Sequence, residues 1–200
     1  GEDIEMEMVG GYVPRDYQVP IVQHIFDNAP TAIVPAQTGQ GKGLMSLFAA
    51  QRVGKRFGAM CASKYTVKWY KELSETVVGI NTETCIILSG TKELLKAYNR
   101  EKDFRSKGES TGVICYIFSL ETLNSFIKRF IFKKEYVEGL NPFDLFQTLG
   151  LGYLIKDEVH ELFHQLFKVE VYTHCKRVCA LSATIEDRKD AFKERMYHLI

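Results

Sequence analysis

Six apolar segments recur along the chain, and a segment with helical periodicity follows each one. The apolar segments are residues 31–36, 58–63, 84–89, 112–119, 151–158 and 177–184. They are apolar throughout instead of alternating, which is typical of strands that are buried on both faces. Strands that alternate with helices form a parallel sheet with right-handed crossovers. The pattern therefore predicts an α/β protein, a three-layer α/β/α sandwich around a mostly parallel sheet.

The size and charge of the chain set limits on its organisation. The 200 residues, 46% of them hydrophobic, are enough for one well-buried domain. We find no internal repeat or low-complexity linker, so we expect one domain over residues 1–200, with residues 1–13 as a lead-in. The formal net charge of +1 neither indicates nor excludes nucleic acid, because a binding surface would then depend on local clustering of charge.

Cysteine usage and hydropathy predict the compartment. The five cysteines show no paired spacing, which favours a reducing environment where a thiol acts as a small apolar side chain. No apolar run approaches the about 20 residues of a membrane helix, and the acidic start of the chain is unlike a signal peptide. We expect an intracellular protein, cytoplasmic or nucleoid-associated, with no membrane partner.

A glycine-rich loop follows the first apolar segment. Residues 35–43 read PAQTGQGKG and lead into a helical segment. Glycines allow backbone N–H groups to close around phosphate oxygens, and the helix N-terminus adds partial positive charge. Ligands of such sheets bind beyond the carboxyl ends of the strands, where this loop lies. The loop predicts a phosphate site formed by Thr38, Gly39, Gln40, Gly41, Lys42 and Gly43.

The loop departs from the usual phosphate-binding pattern at one position. Gly43 occupies the place of the Ser or Thr whose hydroxyl binds magnesium. Thr38, Ser46 or a water molecule are candidates to replace that ligand. The departure weakens the case for fast hydrolysis more than the case for nucleotide binding. A degenerate module that grips nucleic acid or protein with little ATPase activity is therefore an open alternative.

Residues 157–164, DEVHELFH, admit two interpretations. A phosphate loop requires a carboxylate for the metal and a group that positions the attacking water. Asp157 and Glu158 end a buried segment and meet that requirement.

The other interpretation is the zinc-binding pattern H-E-x-x-H. His160 and His164 would lie one helical turn apart, with Glu161 as the general base. The extended pattern is missing, because Phe167 and Glu170 stand where a glycine and a third histidine would be. A zinc metalloprotease is the remote alternative.

With these elements in place, the chain resembles the first RecA-like domain of superfamily 2 helicases and translocases of the DExH type. Seven stretches in the family's order carry the resemblance: PRDYQ (14–18), AQTGQGKG (36–43), CASKYTVKWYKEL (61–73), SGTKE (89–93), FSLETL (118–123), DEVH (157–160) and SAT (182–184). Each stretch alone is a weak signal, but their order and spacing match over nearly the whole chain.

The resemblance implies a site for ATP and Mg²⁺. Gln18 would contact the adenine edge and Arg15 would support that pocket. Lys42 and the backbone of residues 39–43 would hold the phosphates. Asp157 would orient the magnesium and Glu158 would position the hydrolytic water.

The resemblance also implies contacts with nucleic acid, DNA in preference to RNA. The residues that would couple nucleotide state to strand binding are His160, Ser182 and Thr184. The residues that would face the sugar-phosphate backbone are Lys64, Thr91, Lys92, Ser119 and Thr122. The alternative for the two lysines is a solvated surface, and Trp69 is predicted to anchor its helix in the core.

Enzymes of this type bind ATP between two RecA-like domains. No Q-x-x-G-R-x-x-R stretch and no second glycine loop follow in this chain. We expect the second domain elsewhere in the full-length protein. It would supply an arginine finger, which is worth about 10³–10⁵ in rate, so we expect the isolated fragment to be poorly active.

Overall fold

The structure is a computed structural model that describes residues 1–27, 31–35, 42–130, 139–157 and 178–182. For residues 31–35, 42, 178 and 180–182 the structure describes only the backbone. None of the helices in these ranges is long and apolar enough to cross a bilayer.

Six strands form one sheet in the order β1-β6-β5-β2-β4-β3. The strands are β1 (Thr31–Pro35), β2 (Phe57–Cys61), β3 (Cys85–Leu88), β4 (Cys115–Ser119), β5 (Tyr153–Lys156) and β6 (Val178–Ser182). Every neighbouring pair is parallel. This confirms the predicted sheet, and each strand lies within or within one residue of its predicted segment.

Helices pack against both faces of the sheet and make it the middle of three layers. The helices are α1 (Val19–Asp27), α2 (Lys42–Val53), α3 (Thr66–Thr76), α4 (Thr91–Ser106), α5 (Leu120–Lys128) and α6 (Leu145–Thr148). Side chains of β2 alternate between two cores, because successive residues of a strand point to opposite faces. Ala59 belongs to the core beneath α1, α2 and α3, and Met60 belongs to the core beneath α4, α5 and α6.

Local sequence explains several of these elements. On α3, Thr66, Trp69 and Leu73 are buried at a spacing of three and four residues, which gives the helix one apolar face. The hydroxyl of Ser119 caps α5 by accepting the N–H of Thr122 at 3.3 Å. On β2, Gly58 has no room for a side chain, since a Cβ there would lie 2.9 Å from Phe118.

A buried ion cluster closes the amino end of the sheet. Arg56, which is fully buried, lies 2.9 Å from Glu101 and 3.0 Å from Glu2. Its guanidinium also donates to the carbonyl oxygens of Val113 at 2.7 Å and Leu149 at 2.9 Å. These partners satisfy the charge, so we assign this cluster to stability. It also fastens the N-terminal segment, which the sequence predicted only as a lead-in.

Candidate nucleotide and nucleic-acid site

The carboxyl ends of the parallel strands bring most of the predicted site positions that the structure describes to one edge of the sheet. Cys61 pairs with Ser119 across β2 and β4, and Pro35 pairs with Ser182 across β1 and β6. Asp157 directly follows β5, and its N–H donates to the carbonyl oxygen of Met60 at 2.9 Å. At this edge Asp157 therefore lies between β1, the strand before the glycine loop, and β2 and β4, which lead to the predicted nucleic-acid contacts.

A side chain from α3 fixes the carboxylate of Asp157. The indole Nε1–H of Trp69 donates to Asp157 Oδ2 at 2.9 Å. Trp69 is buried in the core beneath α3, as predicted, while Asp157 is half-buried. The indole therefore anchors its helix and also holds a predicted metal ligand, a second role that the sequence did not indicate.

The start of α2 carries the departure from the usual phosphate loop. Helix α2 begins at Lys42, and Gly43 follows it. Ser46, one of the predicted substitutes for the missing hydroxyl, is buried, and its Oγ donates to the carbonyl oxygen of Gly43 at 2.6 Å. That hydroxyl is used inside the helix, so the structure gives no support to Ser46 as the replacement ligand.

A carboxylate that the sequence analysis did not consider lies beside Gly43. Oε2 of Glu72, on α3, would lie 3.5 Å from a Cβ built on Gly43. Burial raises the pKa of Glu72, and the charge of Asp157 raises it further, against an opposing effect of Lys68. Asp157 and Glu72 therefore belong to one electrostatic environment next to the start of α2.

The predicted adenine-binding pair forms a local contact. Gln18 is buried, and its Oε1 accepts the backbone N–H of Arg15 at 2.9 Å. This bond fixes the turn that leads into α1. The side chain of Arg15 is exposed. The contact of Gln18 with adenine stays a prediction.

The residues predicted to face nucleic acid lie at the ends of β2, β3 and β4. Lys64 and Lys92 are exposed, Thr91 is partly buried, and Ser119 is fully buried. The hydroxyl of Thr122 accepts the backbone N–H of Gly90 at 2.9 Å. Two of the three hydroxyls that would meet the sugar-phosphate backbone, those of Ser119 and Thr122, therefore have partners within the chain.

A second carboxylate that the sequence analysis did not consider occupies this part of the edge. Oε2 of Glu121 accepts the backbone N–H of Ser63 at 2.7 Å and the hydroxyl of Ser119 at 3.2 Å. The hydroxyl of Ser63 also donates to the same oxygen at 2.5 Å. Burial alone would raise the pKa of Glu121, but these donors lower it below its usual value. Three donors that could bind an anion converge on one carboxylate oxygen.

Several predicted residues lie outside the described ranges. They are Thr38, Gly39, Gln40, Gly41, Glu158, His160 and Thr184. For Lys42 and Ser182 the backbone is described, at the start of α2 and the end of β6, and the side chains are not. The zinc alternative at residues 160–164 also lies outside these ranges, so it stays an alternative.

The donor set at this edge fits a hard divalent cation. Asp157 and Glu72 offer carboxylate oxygens, and Mg²⁺ prefers one or two protein carboxylates together with phosphate oxygens and water. When bound, Mg²⁺ neutralises phosphate charge. The bond from Trp69 to Oδ2 holds the carboxylate of Asp157 in place, which is what a metal ligand requires.

Comparisons with known proteins identify the family and the fold. Residues 11–187 match the family described as type III restriction enzyme, res subunit. No protein in a search of curated sequences matches.

Solved structures with a similar fold include a helicase domain and an ATPase core. The Hef helicase domain of Pyrococcus furiosus is 15% identical at a TM-score of 0.59, over 90% of this chain and 35% of that chain. The SWI2/SNF2 ATPase core of Sulfolobus solfataricus, in complex with double-stranded DNA, is 14% identical at a TM-score of 0.60, over 96% and 36%.

A restriction-modification enzyme is also similar. A nuclease-deletion mutant of the type ISP enzyme LlaGI, in complex with a DNA substrate mimic, is 14% identical at a TM-score of 0.57, over 86% of this chain and 18% of that chain. The chain therefore covers at most 36% of the length of any of these three structures.

Proposed function

Because the chain belongs to the type III restriction enzyme res subunit family and has the fold of a superfamily 2 helicase domain, we propose that it is the nucleotide-binding half of an ATP-dependent helicase or translocase. It would couple ATP hydrolysis to movement along nucleic acid or to strand separation. The second RecA-like domain of the same protein would be its partner.

The observation that carries the proposal is the position of Asp157. It lies at the carboxyl edge of the sheet, fixed by Trp69 and electrostatically coupled to Glu72 beside the start of α2. Phosphoryl transfer requires a carboxylate that orients the metal, because the reaction depends on positioning and on neutralising charge.

The chain's own residues would divide this work. Lys42 and the N–H groups at the start of α2 would bind phosphate oxygens, and Asp157 would orient the cation. Glu158 would hold the attacking water. His160, with the segment after β6, would link this edge to the nucleic-acid contacts.

DNA is the proposed nucleic acid. Two of the similar structures are described with DNA or a DNA mimic. The exposed Lys64 and Lys92 would contact phosphates, which positions a strand without reading its bases. We also propose an intracellular location, since four cysteines are buried free thiols: Cys61, Cys85, Cys115 and Cys179.

Nucleotide binding tests the proposal directly. We would measure the affinity of a fluorescent ATP analogue with Mg²⁺ for the wild type and for Lys42→Ala. Lys71→Ala is the matched control, because Lys71 is exposed on α3 and contacts only Glu75 at 4.0 Å among the ion pairs of the described chain. We expect binding that Lys42→Ala abolishes and Lys71→Ala leaves unchanged. Equal affinity in all three proteins would contradict the proposal, and so would stoichiometric zinc in a protein that binds no nucleotide.

Gly43 favours a second candidate function, a binding module that has lost most of its ATPase activity. The position is open, because the nearest atom to a Cβ there is Glu72 Oε2 at 3.5 Å. Gly43→Ser is therefore expected to fold, and its ATP turnover in the full-length protein separates the candidates. A large gain in turnover would support the degenerate module, and an unchanged, readily measured turnover would support the motor.

A further inference from the structure

We infer that Glu72 replaces the missing hydroxyl of residue 43 as an oxygen ligand on the metal side of the nucleotide site, and that Trp69 is the positioning residue for Asp157, the other ligand. This inference rests on the proposed function. It assigns roles to two residues one helical turn apart on α3.

The first step is the geometry around Gly43. In the usual phosphate loop a Ser or Thr hydroxyl extends from this Cβ toward the metal. Here the Cβ is missing, and Oε2 of Glu72 lies 3.5 Å from where it would be. The carboxylate thus reaches the neighbourhood of the absent hydroxyl from a different helix.

The second step concerns Ser46, the other candidate for the missing oxygen ligand. Ser46 lies one turn further along α2, but it is buried and its hydroxyl donates to the carbonyl oxygen of Gly43. Such a bond to the preceding turn is the usual use of a helical serine. Glu72 is therefore the described side chain that can supply an oxygen beside Gly43.

The third step is the arrangement of Asp157. Metal ligands depend on partners that fix their orientation, and loss of such a partner costs about 10- to 100-fold in metal affinity. The indole N–H of Trp69 donates to Oδ2 of Asp157 at 2.9 Å. The same face of α3 that holds Asp157 also carries Glu72, so one helix positions both carboxylates.

The fourth step is charge. The charge of Asp157 raises the pKa of Glu72, so the two carboxylates repel, and a divalent cation bound by both would relieve that repulsion. Carboxylates with perturbed pKa values cluster at functional sites. A Mg²⁺–nucleotide complex has the charge and the ligand preference to occupy this place.

The test is the Mg²⁺ dependence of nucleotide binding. We would titrate Mg²⁺ at a fixed concentration of fluorescent ATP analogue and compare the midpoints for the wild type, Glu72→Gln, Glu72→Gln with Gly43→Ser, and Glu75→Gln. Glu75 is the control because it lies on the same helix with its side chain 65% exposed. Thermal unfolding of each variant checks that the fold is intact.

We expect Glu72→Gln to raise the Mg²⁺ midpoint about 10-fold, Gly43→Ser to restore it, and Glu75→Gln to match the wild type. A midpoint for Glu72→Gln equal to that of Glu75→Gln would overturn the inference, and so would a failure of Gly43→Ser to restore it. In either case, the proposed function would still stand if Lys42→Ala abolished nucleotide binding. If Lys42→Ala had no effect on binding, the proposed function would fail and this inference with it.

Discussion

The two ends of the parallel sheet treat ionic side chains in opposite ways. At the amino end, the buried guanidinium of Arg56 contacts both Glu2 and Glu101, and backbone carbonyl oxygens take its remaining donors. Each charge there has an opposite partner. Breaking such a buried cluster is costly, so this end of the molecule is organised for stability.

At the carboxyl end, carboxylates gather instead. Burial raises the pKa of Glu72 and, although Lys68 opposes this, the charge of Asp157 adds to it. The pKa of the Cys61 thiol rises to about 12, first through burial and then through the charges of Asp157 and Glu121. Carboxylates gathered in this way suit a cation with its nucleotide. The amino end is therefore arranged for stability, whereas the carboxyl end, where the ligands would bind, is arranged less favourably for stability.

The largest expected effect is at the amino end. Arg56→Met would leave two carboxylates without their cation, and we expect the free energy of unfolding to fall by about 3–5 kcal/mol. Arg52→Met is the control, since Arg52 is exposed and lies over the ring of Phe26 at 4.1 Å, a contact worth about 0.5–1 kcal/mol. Urea denaturation measures both. A loss for Arg56→Met no larger than for Arg52→Met would break the comparison.

At the carboxyl end, Trp69→Phe removes the N–H donor to Asp157 while keeping an aromatic ring in the core. We expect the affinity for ATP analogue to fall about 10-fold in Mg²⁺ and to stay the same in EDTA, because the loop at Lys42 is untouched. Tyr70→Phe on the same helix serves as the control. A similar loss with and without the metal would mean that Trp69 acts only through the fold.

The pH dependence of stability should differ between the wild type and Glu72→Gln. Its pKa is raised in the folded protein, so the folded state binds more protons than the unfolded state between the two pKa values. The free energy of unfolding then falls as pH rises through that interval. We expect Glu72→Gln to gain stability relative to the wild type as pH rises from the ordinary pKa of a glutamate, about 4.3, through the raised pKa of the folded protein. A constant difference over this range, as expected for the exposed Glu75→Gln, would contradict the raised pKa.

The smallest expected effect concerns Glu121. Glu121→Gln keeps an acceptor for Ser63 but removes a negative charge from the proposed nucleic-acid surface. We expect the affinity for a DNA oligonucleotide at low salt to rise about 2- to 5-fold, the range of an exposed charge interaction, and the gain to shrink at high salt.

Glu109→Gln is the control for this effect, because Glu109 is exposed in the turn after α4. An equal gain for both variants would indicate an effect of net charge alone. No gain for Glu121→Gln would remove Glu121 from the proposed nucleic-acid surface.

Much of the fold could be predicted from the sequence, because buried parallel strands have a distinct apolar signature. The segment at residues 112–119 predicted β4, which spans Cys115–Ser119. Helix α1 was not predicted, since the PRDYQ motif ends at Gln18 and the short amphipathic stretch after it, with Pro20 near its start, was assigned to no element. Helix α6 has four residues, too few to show a period.

The sequence predicted site residues only where a short sequence motif identifies them. The order of motifs indicated Asp157, but the bond from Trp69 joins residues 88 positions apart. Glu72 reaches Gly43 because α3 packs beside α2, which no local pattern encodes. For Ser119, the sequence cannot distinguish a hydroxyl that faces a ligand from one that caps a helix, and in the structure it caps α5.

The most direct test uses the fluorescence of Trp69, the single tryptophan of the chain, whose indole is bonded to Asp157. We would record its emission during titration with Mg²⁺ and ATP, for the wild type and for Lys42→Ala. The account predicts a saturable change in the wild type that Lys42→Ala abolishes, because binding at the loop would reach the indole through Asp157. No change in the wild type, or the same change in Lys42→Ala, would contradict a nucleotide site at this edge of the sheet.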